Sequence, residues 1–247
     1  MKKVLCHIIL LLICTHSVFA AEILKVAAPP SLWISQQGDK LTGPVIDFTE
    51  KIFSEYDIQI QTQALPWARA IAHIKSGKID VIPVIYYTEE RKEYMEFTVP
   101  YMASSTVVFV QPKKKFPFDR LEDLKGRHGL MMRDDSISPE FEVFKPQLNL
   151  SIVAEYEQMI KMLGNGRADY GVAAQYGLLI QAQKMGAGHM VEMLPTPVAT
   201  RNLYFAFSKK SPFIKYLPKV NTRLNQLKAD GTIDMMIKNA IRLAAGQ

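Results

Sequence analysis

The sequence predicts an α/β protein of two lobes, each a mostly parallel sheet flanked by helices, joined by a two-stranded hinge. A helical run closes on Ser76-Gly77-Lys78-Ile79-Asp80 before a β-rich segment, and the pattern recurs as Asn165-Gly166-Arg167-Ala168-Asp169. In each copy a helix passes into a strand through a short connection, the building unit of a parallel sheet. Two further extended stretches, residues 103–111 and 202–208, lie outside the copies and offer crossings between lobes. A single longer sheet that uses one helix-to-strand turn twice is the competing arrangement.

Residues 1–20 read as a signal peptide. Lys2 and Lys3 precede an apolar run over residues 4–13, and Val18-Phe19-Ala20 places modest or small side chains at the cleavage positions. The run is shorter than the ~20 residues that span a bilayer, which disfavours an uncleaved anchor, and Ile13 before Cys14 is too bulky for lipid attachment. Cys6 and Cys14 leave with this segment, so neither disulfide nor thiolate chemistry is expected of the mature chain. Roughly 227 residues remain, enough for one large domain or two lobes with real cores.

Residues 22–28 alternate apolar and polar side chains and stop at Pro29-Pro30, as a strand does. Gly43-Pro44 opens a helix whose Val45, Ile46, Phe48, Ile52 and Phe53 share a face. The Ile-Gln alternation over residues 57–65 reads as a strand, and Pro66 then opens a helix with Trp67, Ala70, Ile71 and Ile74 at helical spacing. A strand over residues 80–85 completes the first copy. In the second copy, strands are expected near 129–132, 151–155 and 170–174, with helices near 139–144 and 158–164. Each glycine releases its helix in a left-handed turn. A long helical tail over residues 212–245 returns to the first lobe. Residues 21–108 and 206–247 then form lobe 1, and residues 109–205 form lobe 2, with a cleft between.

Several functions are excluded by what the chain lacks. There is no Gly-x-Ser-x-Gly, no phosphate-binding glycine loop and no Gly-x-Gly-x-x-Gly. His73, His128 and His189 are not at metal-ligand spacing, so neither a metal nor a cofactor is expected. Loss of Lys2 and Lys3 lowers the formal charge from +6 to +4, and basic residues are scattered among acids; only Lys113-Lys114-Lys115 forms a run. A solvated turn explains that run better than a nucleic-acid patch.

Tyr86-Tyr87-Thr88-Glu89-Glu90-Arg91 follows a buried strand at its carboxyl end, where open α/β sheets bind ligands. A guanidinium there can grip a carboxylate through two parallel charge-assisted hydrogen bonds. Pairing of Arg91 with Glu89 or Glu90 at the surface is the alternative.

The chain resembles the family 3 extracellular solute-binding proteins, periplasmic receptors of ABC importers for polar amino acids and related solutes. The matching segments run in order along nearly the whole mature chain: Pro29-Pro30 followed by Trp33, Gly43-Pro44-Val45-Ile46-Asp47-Phe48, Pro66-Trp67-Ala68-Arg69-Ala70, Gly77-Lys78-Ile79-Asp80, Thr88-Glu89-Glu90-Arg91, Phe97-Thr98-Val99-Pro100-Tyr101, Leu124-Lys125-Gly126, Gly166-Arg167-Ala168-Asp169 and Leu227-Lys228-Ala229-Asp230-Gly231-Thr232. The resemblance implies the type II periplasmic-binding-protein fold and capture of a carboxylate-bearing solute by hinge closure. It also implies a permease in the inner membrane as partner, a periplasmic location and a monomer. It assigns the solute's carboxylate to Arg91, support from the hydroxyl or turn to Thr88, and an aromatic cover to Trp33. Trp67 and Arg69 face the cleft or, for Trp67, the core; Asp47, Asp80 and Asp169 read better as structural residues.

Two departures bear on the ligand. Relatives carry small hydroxyl residues ahead of the Thr-x-x-Arg motif, where this chain has Val84, Ile85, Tyr86 and Tyr87. They also carry an acid for the solute's ammonium shortly after the second Gly-Arg-x-Asp, where this chain has Ala174 and Gln175. Either Asp134, Asp135 or Glu155 supplies that charge, or the solute is not an ordinary α-amino acid, since a buried unpaired ammonium costs several kcal/mol. The aromatic residues suit a larger or flatter ligand. A dehydratase-like enzyme on the same scaffold and a sensor for a membrane kinase are the rival functions.

Overall fold

In the computed structural model, the described residues are 22–133, 135 and 137–246; the expected signal peptide, both cysteines and Asp134 lie outside them. β1 (Glu22–Ala28) buries Leu24, Val26, Ala27 and Ala28. A short hairpin, β2 (Ser35–Gln37) and β3 (Lys40–Thr42), turns at Gly38 and leads into α1 (Pro44–Ser54). Pro44 occupies the first turn of α1, where its missing N–H removes no helical bond. Next come β4 (Ile58–Ala64), α2 (Trp67–Ser76) and β5 (Val81–Tyr86). Gly77 ends α2 at φ 79°, the left-handed region that favours glycine.

The short α3 (Glu89–Lys92) and β6 (Met95–Phe97) precede β7 (Met102–Val110). The second copy comprises β8 (His128–Met132), α4 (Pro139–Phe144), β9 (Asn149–Val153), α5 (Tyr156–Gly164) and β10 (Tyr170–Ala174). Its third segment, α6 (Gln175–Lys184), leads to β11 (Glu192–Ser208), and α7 (Leu217–Ala229) and α8 (Thr232–Ala244) close the chain.

The strand order β4-β1-β5-β11-β7-β10-β8-β9 explains how the copies are joined. β4, β1 and β5 are parallel, as are β10, β8 and β9. β11 and β7 run antiparallel to each other and to the parallel strands they flank. The two mostly parallel sheets are thus joined into one hydrogen-bonded ladder through the two crossing strands. Phe213, Val220, Leu224, Leu227 and Ile233 of the tail share a core with Leu24, Val45, Ile52 and Phe53. Other cores gather Phe109, Met159, Leu163 and Leu178, or Val108, Phe141 and Val172.

Two elements, β11 and α6, depart from expectation, and the tail gains detail. β11 begins ten residues before Asn202 because Pro195 and Pro197 are accommodated where its register with β7 shifts, as proline in a sheet requires. The helical tail is divided into α7 and α8: Gly231 takes φ 78°, and an Asp230 carboxylate oxygen accepts from Thr232 N at 2.9 Å. α6 was not expected, since Gly177 and apolar residues around the helix blur its period. The ring of Tyr156 lies within 2.8 Å of where a Gly177 Cβ would sit, so close packing requires glycine there.

Candidate functional site

The carboxyl end of β5, the loop after β1 and the start of α6 converge on a cavity of about 540 Å³. Trp33, Trp67, Tyr86 and Arg91 all line it. Arg91 reaches the cavity because α3 is capped locally: Thr88 Oγ1 accepts from Arg91 N at 3.2 Å. The Thr-x-x-Arg spacing is therefore that of an N-cap and the third helical residue. Glu89 and Glu90 occupy the first turn of α3, where negative charge is favourable, and Glu89 accepts from Tyr87 Oη at 2.7 Å. Neither carboxylate pairs with Arg91, which makes no ion pair among the described residues.

The guanidinium of Arg91 is held from two sides. Its Nη1 donates to Tyr86 O at 2.6 Å, and its Cζ lies 5.3 Å from the centroid of the Trp67 ring. A guanidinium carries five donors, so most remain available to an anion. Trp67 is 37% exposed at the start of α2, which separates it from the core residues Ala70 and Ile74 on the same helix.

Trp33 is nearly buried and fixed by its backbone: its N–H donates to Ser31 Oγ at 3.2 Å, and its carbonyl accepts from Val45 N at 3.2 Å. Its ring meets Tyr176 edge-on, 5.1 Å between centroids at 83°. Tyr176 stands on α6 beside Gly177, and both line the cavity; Gln175 does not. Burial, and then the Asp234 carboxylate, pushes the Tyr176 phenol up from its ordinary value. Sequence reasoning passed over Tyr176 because α6 itself was not expected.

Of the carboxylates considered for a solute ammonium, Asp134 lies outside the described residues and the other two do not line this cavity. Glu155 borders a separate cavity with Glu157 and Lys161. Asp135, whose carboxyl is pushed up by burial, is not among the residues lining the cavity that holds Arg91. Among the described residues, that lining includes no Asp, Glu or His. Asp47 is exposed in the first turn of α1, and Arg69 is exposed on α2 without lining the cavity. His73 lies at a different depression, beside Lys78.

Comparison with known proteins is consistent with this architecture. The family model for bacterial extracellular solute-binding proteins, family 3, matches residues 24–241. The chain is 26% identical over 201 residues to the probable amino-acid-binding protein YxeM of Bacillus subtilis (strain 168), covering 80% of this chain and 75% of that protein. Its fold is similar to the L-cystine solute receptor of Neisseria gonorrhoeae in the unliganded open conformation, with TM-score 0.73 and 20% identity over 90% of this chain and 93% of that one. An ancestral cyclohexadienyl dehydratase shares the fold at TM-score 0.65 and 18% identity, over 89% of this chain and 92% of that one.

Proposed function

The chain belongs to the bacterial extracellular solute-binding proteins, family 3, and on that premise we propose that it captures a small carboxylate-bearing solute, an amino acid or a relative of one, in the Arg91 cavity. The observation that carries this reading is a guanidinium without a protein counter-ion among the described residues, set in a cavity walled by Trp33, Trp67, Tyr86 and Tyr176. A solute carboxylate completes it through paired hydrogen bonds, each worth about 1.5–3 kcal/mol. The aromatic walls add stacking or cation–π attraction of about 0.5–2 kcal/mol.

Capture works by closure. Trp33 follows β1 and Arg91 follows β5, whereas Tyr176 follows β10 on the far side of the crossing strands β7 and β11. A solute that touches both sides favours the closed arrangement by its greater affinity for it. In this reading the protein acts in the periplasm after loss of its leader, works as a monomer, and presents the closed form to an ABC permease.

The dehydratase likeness raises an enzymatic alternative. Such chemistry requires a positioned acid within reach of the substrate. Glu155 borders a different cavity and Asp135 does not line the one that holds Arg91, which supports binding as the first reading.

A thermal-shift screen against amino acids, their decarboxylated and deaminated analogues and small dicarboxylates tests the reading. A ligand at 100 times its dissociation constant adds about 2.7 kcal/mol, and roughly 2–4 °C of shift accompanies each kcal/mol in a chain of this size. Arg91→Ala should abolish the shift while leaving circular dichroism intact; stabilisation by an amine that lacks a carboxylate would overturn the assignment.

A further inference from the structure

We infer that Arg201 is a second anion-binding residue at the rim of the cavity, and that the solute carries two anionic groups. The inference rests on the reading of Arg91 as the anchor of the first. Register places Arg201 on the cavity face of the crossing strands. Tyr86 on β5 faces Leu203 on β11, and both line the cavity. Arg201 stands two residues before Leu203 and therefore on the same side of β11, directly opposite Ser104 of β7, which also lines the cavity. The preceding Thr200, whose side chain alternates to the opposite face, meets Ser105 at 3.1 Å.

The side chain confirms what the register requires. The Arg201 guanidinium stacks over the ring of Tyr86 at 3.9 Å, the diagonal contact expected between neighbouring strands. It is exposed, and it forms no ion pair among the described residues. Both guanidiniums rest on Tyr86, Arg91 on its carbonyl and Arg201 on its ring, so one small solute can reach both. A stacked guanidinium keeps its edge donors free for an anion. Arg201 does not itself line the cavity but borders it through Tyr86 and Ser104; with Arg91 inside, Arg201 at the rim and no acidic side chain in the described lining, the site selects net negative charge.

The test is calorimetric titration with pairs that differ only in a second carboxylate: L-glutamate against L-glutamine, glutarate against butyrate, and terephthalate against benzoate. In the wild-type protein, the dianion of at least one pair should bind about tenfold more tightly than its partner, the equivalent of one charge-assisted contact. Arg201→Gln should bring that ratio close to one, and Arg201→Lys, which keeps the charge but loses the planar stack, should retain part of it. Arg91→Gln should remove binding of both members. Binding that depends on Arg91 but shows no preference, or a preference that survives Arg201→Gln, overturns the role of Arg201 alone. Binding that ignores Arg91→Gln, or none by any of the six compounds, overturns the carboxylate reading and this inference with it.

Discussion

Asp80 and Asp169 perform the same operation at equivalent points of the two copies. Asp80 Oδ2 accepts from Lys25 N at 2.8 Å, while Asp80 N donates to Lys25 O at 2.8 Å. Asp169 Oδ2 accepts from His128 N at 2.8 Å, and Asp169 N donates to His128 O at 2.8 Å. Each aspartate locks the end of a helix-to-strand turn onto a neighbouring strand, β1 in the first copy and the start of β8 in the second. The glycine three residues earlier supplies the left-handed turn, at φ 79° for Gly77 and 68° for Gly166. That joint requirement explains why glycine and aspartate recur together, and it gives the aspartates a structural task away from the ligand.

The two clamps differ in strength. Asp80 is 7% exposed and also accepts from Ser211 Oγ at 2.7 Å, which ties the turn to the segment before α7. Asp80→Ala loses two charge-assisted bonds and should cost about 3 kcal/mol or more, whereas Asp169→Ala loses one and should cost about half as much. Urea unfolding of the two variants checks the order; a larger loss at Asp169 would contradict it.

Thr88 acts on binding through Arg91. Thr88→Val removes the acceptor of Arg91 N and loosens a helix only one turn long. A lost cap costs about 1 kcal/mol locally, so affinity for a carboxylate ligand should fall about fivefold, with little change in melting temperature. Thr88→Ser should recover most of the loss. Equal affinities for the valine variant and the wild type would remove Thr88 from the positioning of Arg91.

Legibility followed the range of the interactions. The strands flanking Gly77 and Gly166 were readable because turn and period lie within a few residues. Arg91 and Tyr86 were readable as candidates because they stand at or just after the carboxyl end of β5, and Trp67 because it opens α2; Trp33, in the loop after β1, was a candidate through the family resemblance. Tyr176 and Arg201 were not. Tyr176 depends on α6 packing through Gly177 against Tyr156. Arg201 depends on the register of β11 against both β5 and β7, which two prolines conceal. Alternation counted back from Phe205 through Leu203 lands on Arg201, the one local signal that could have found it.

The edge contact between Trp33 and Tyr176 couples the loop after β1 to α6. A double-mutant cycle with Trp33→Ala and Tyr176→Ala, read as unfolding free energy without ligand, should give a coupling of about 1 kcal/mol. Because the ring pair also walls the cavity, Tyr176→Ala should weaken carboxylate binding, with Tyr176→Phe intermediate. Strict additivity of the two alanine changes would show that the rings adjoin without contributing.

Tyr170 carries a hydroxyl that is buried and, among the described residues, has no hydrogen-bond partner. Its ring fills the space where a side chain on Gly129 would stand, so the phenol cannot move without opening the β8–β10 contact. Removing an unsatisfied buried polar group is favourable, and Tyr170→Phe should raise stability at neutral pH by about 1 kcal/mol. Burial, and then the charge of Asp169, pushes the phenol up to about 12 from its ordinary 10.0. The native state therefore keeps this proton over a range in which the unfolded chain has lost it, so the wild type loses stability as pH rises from 10.0 toward about 12. Phenylalanine removes that contribution. The advantage of Tyr170→Phe should thus widen between about pH 9 and about pH 11 in urea titrations at each pH; a constant difference would mean that the hydroxyl is solvated in the native protein.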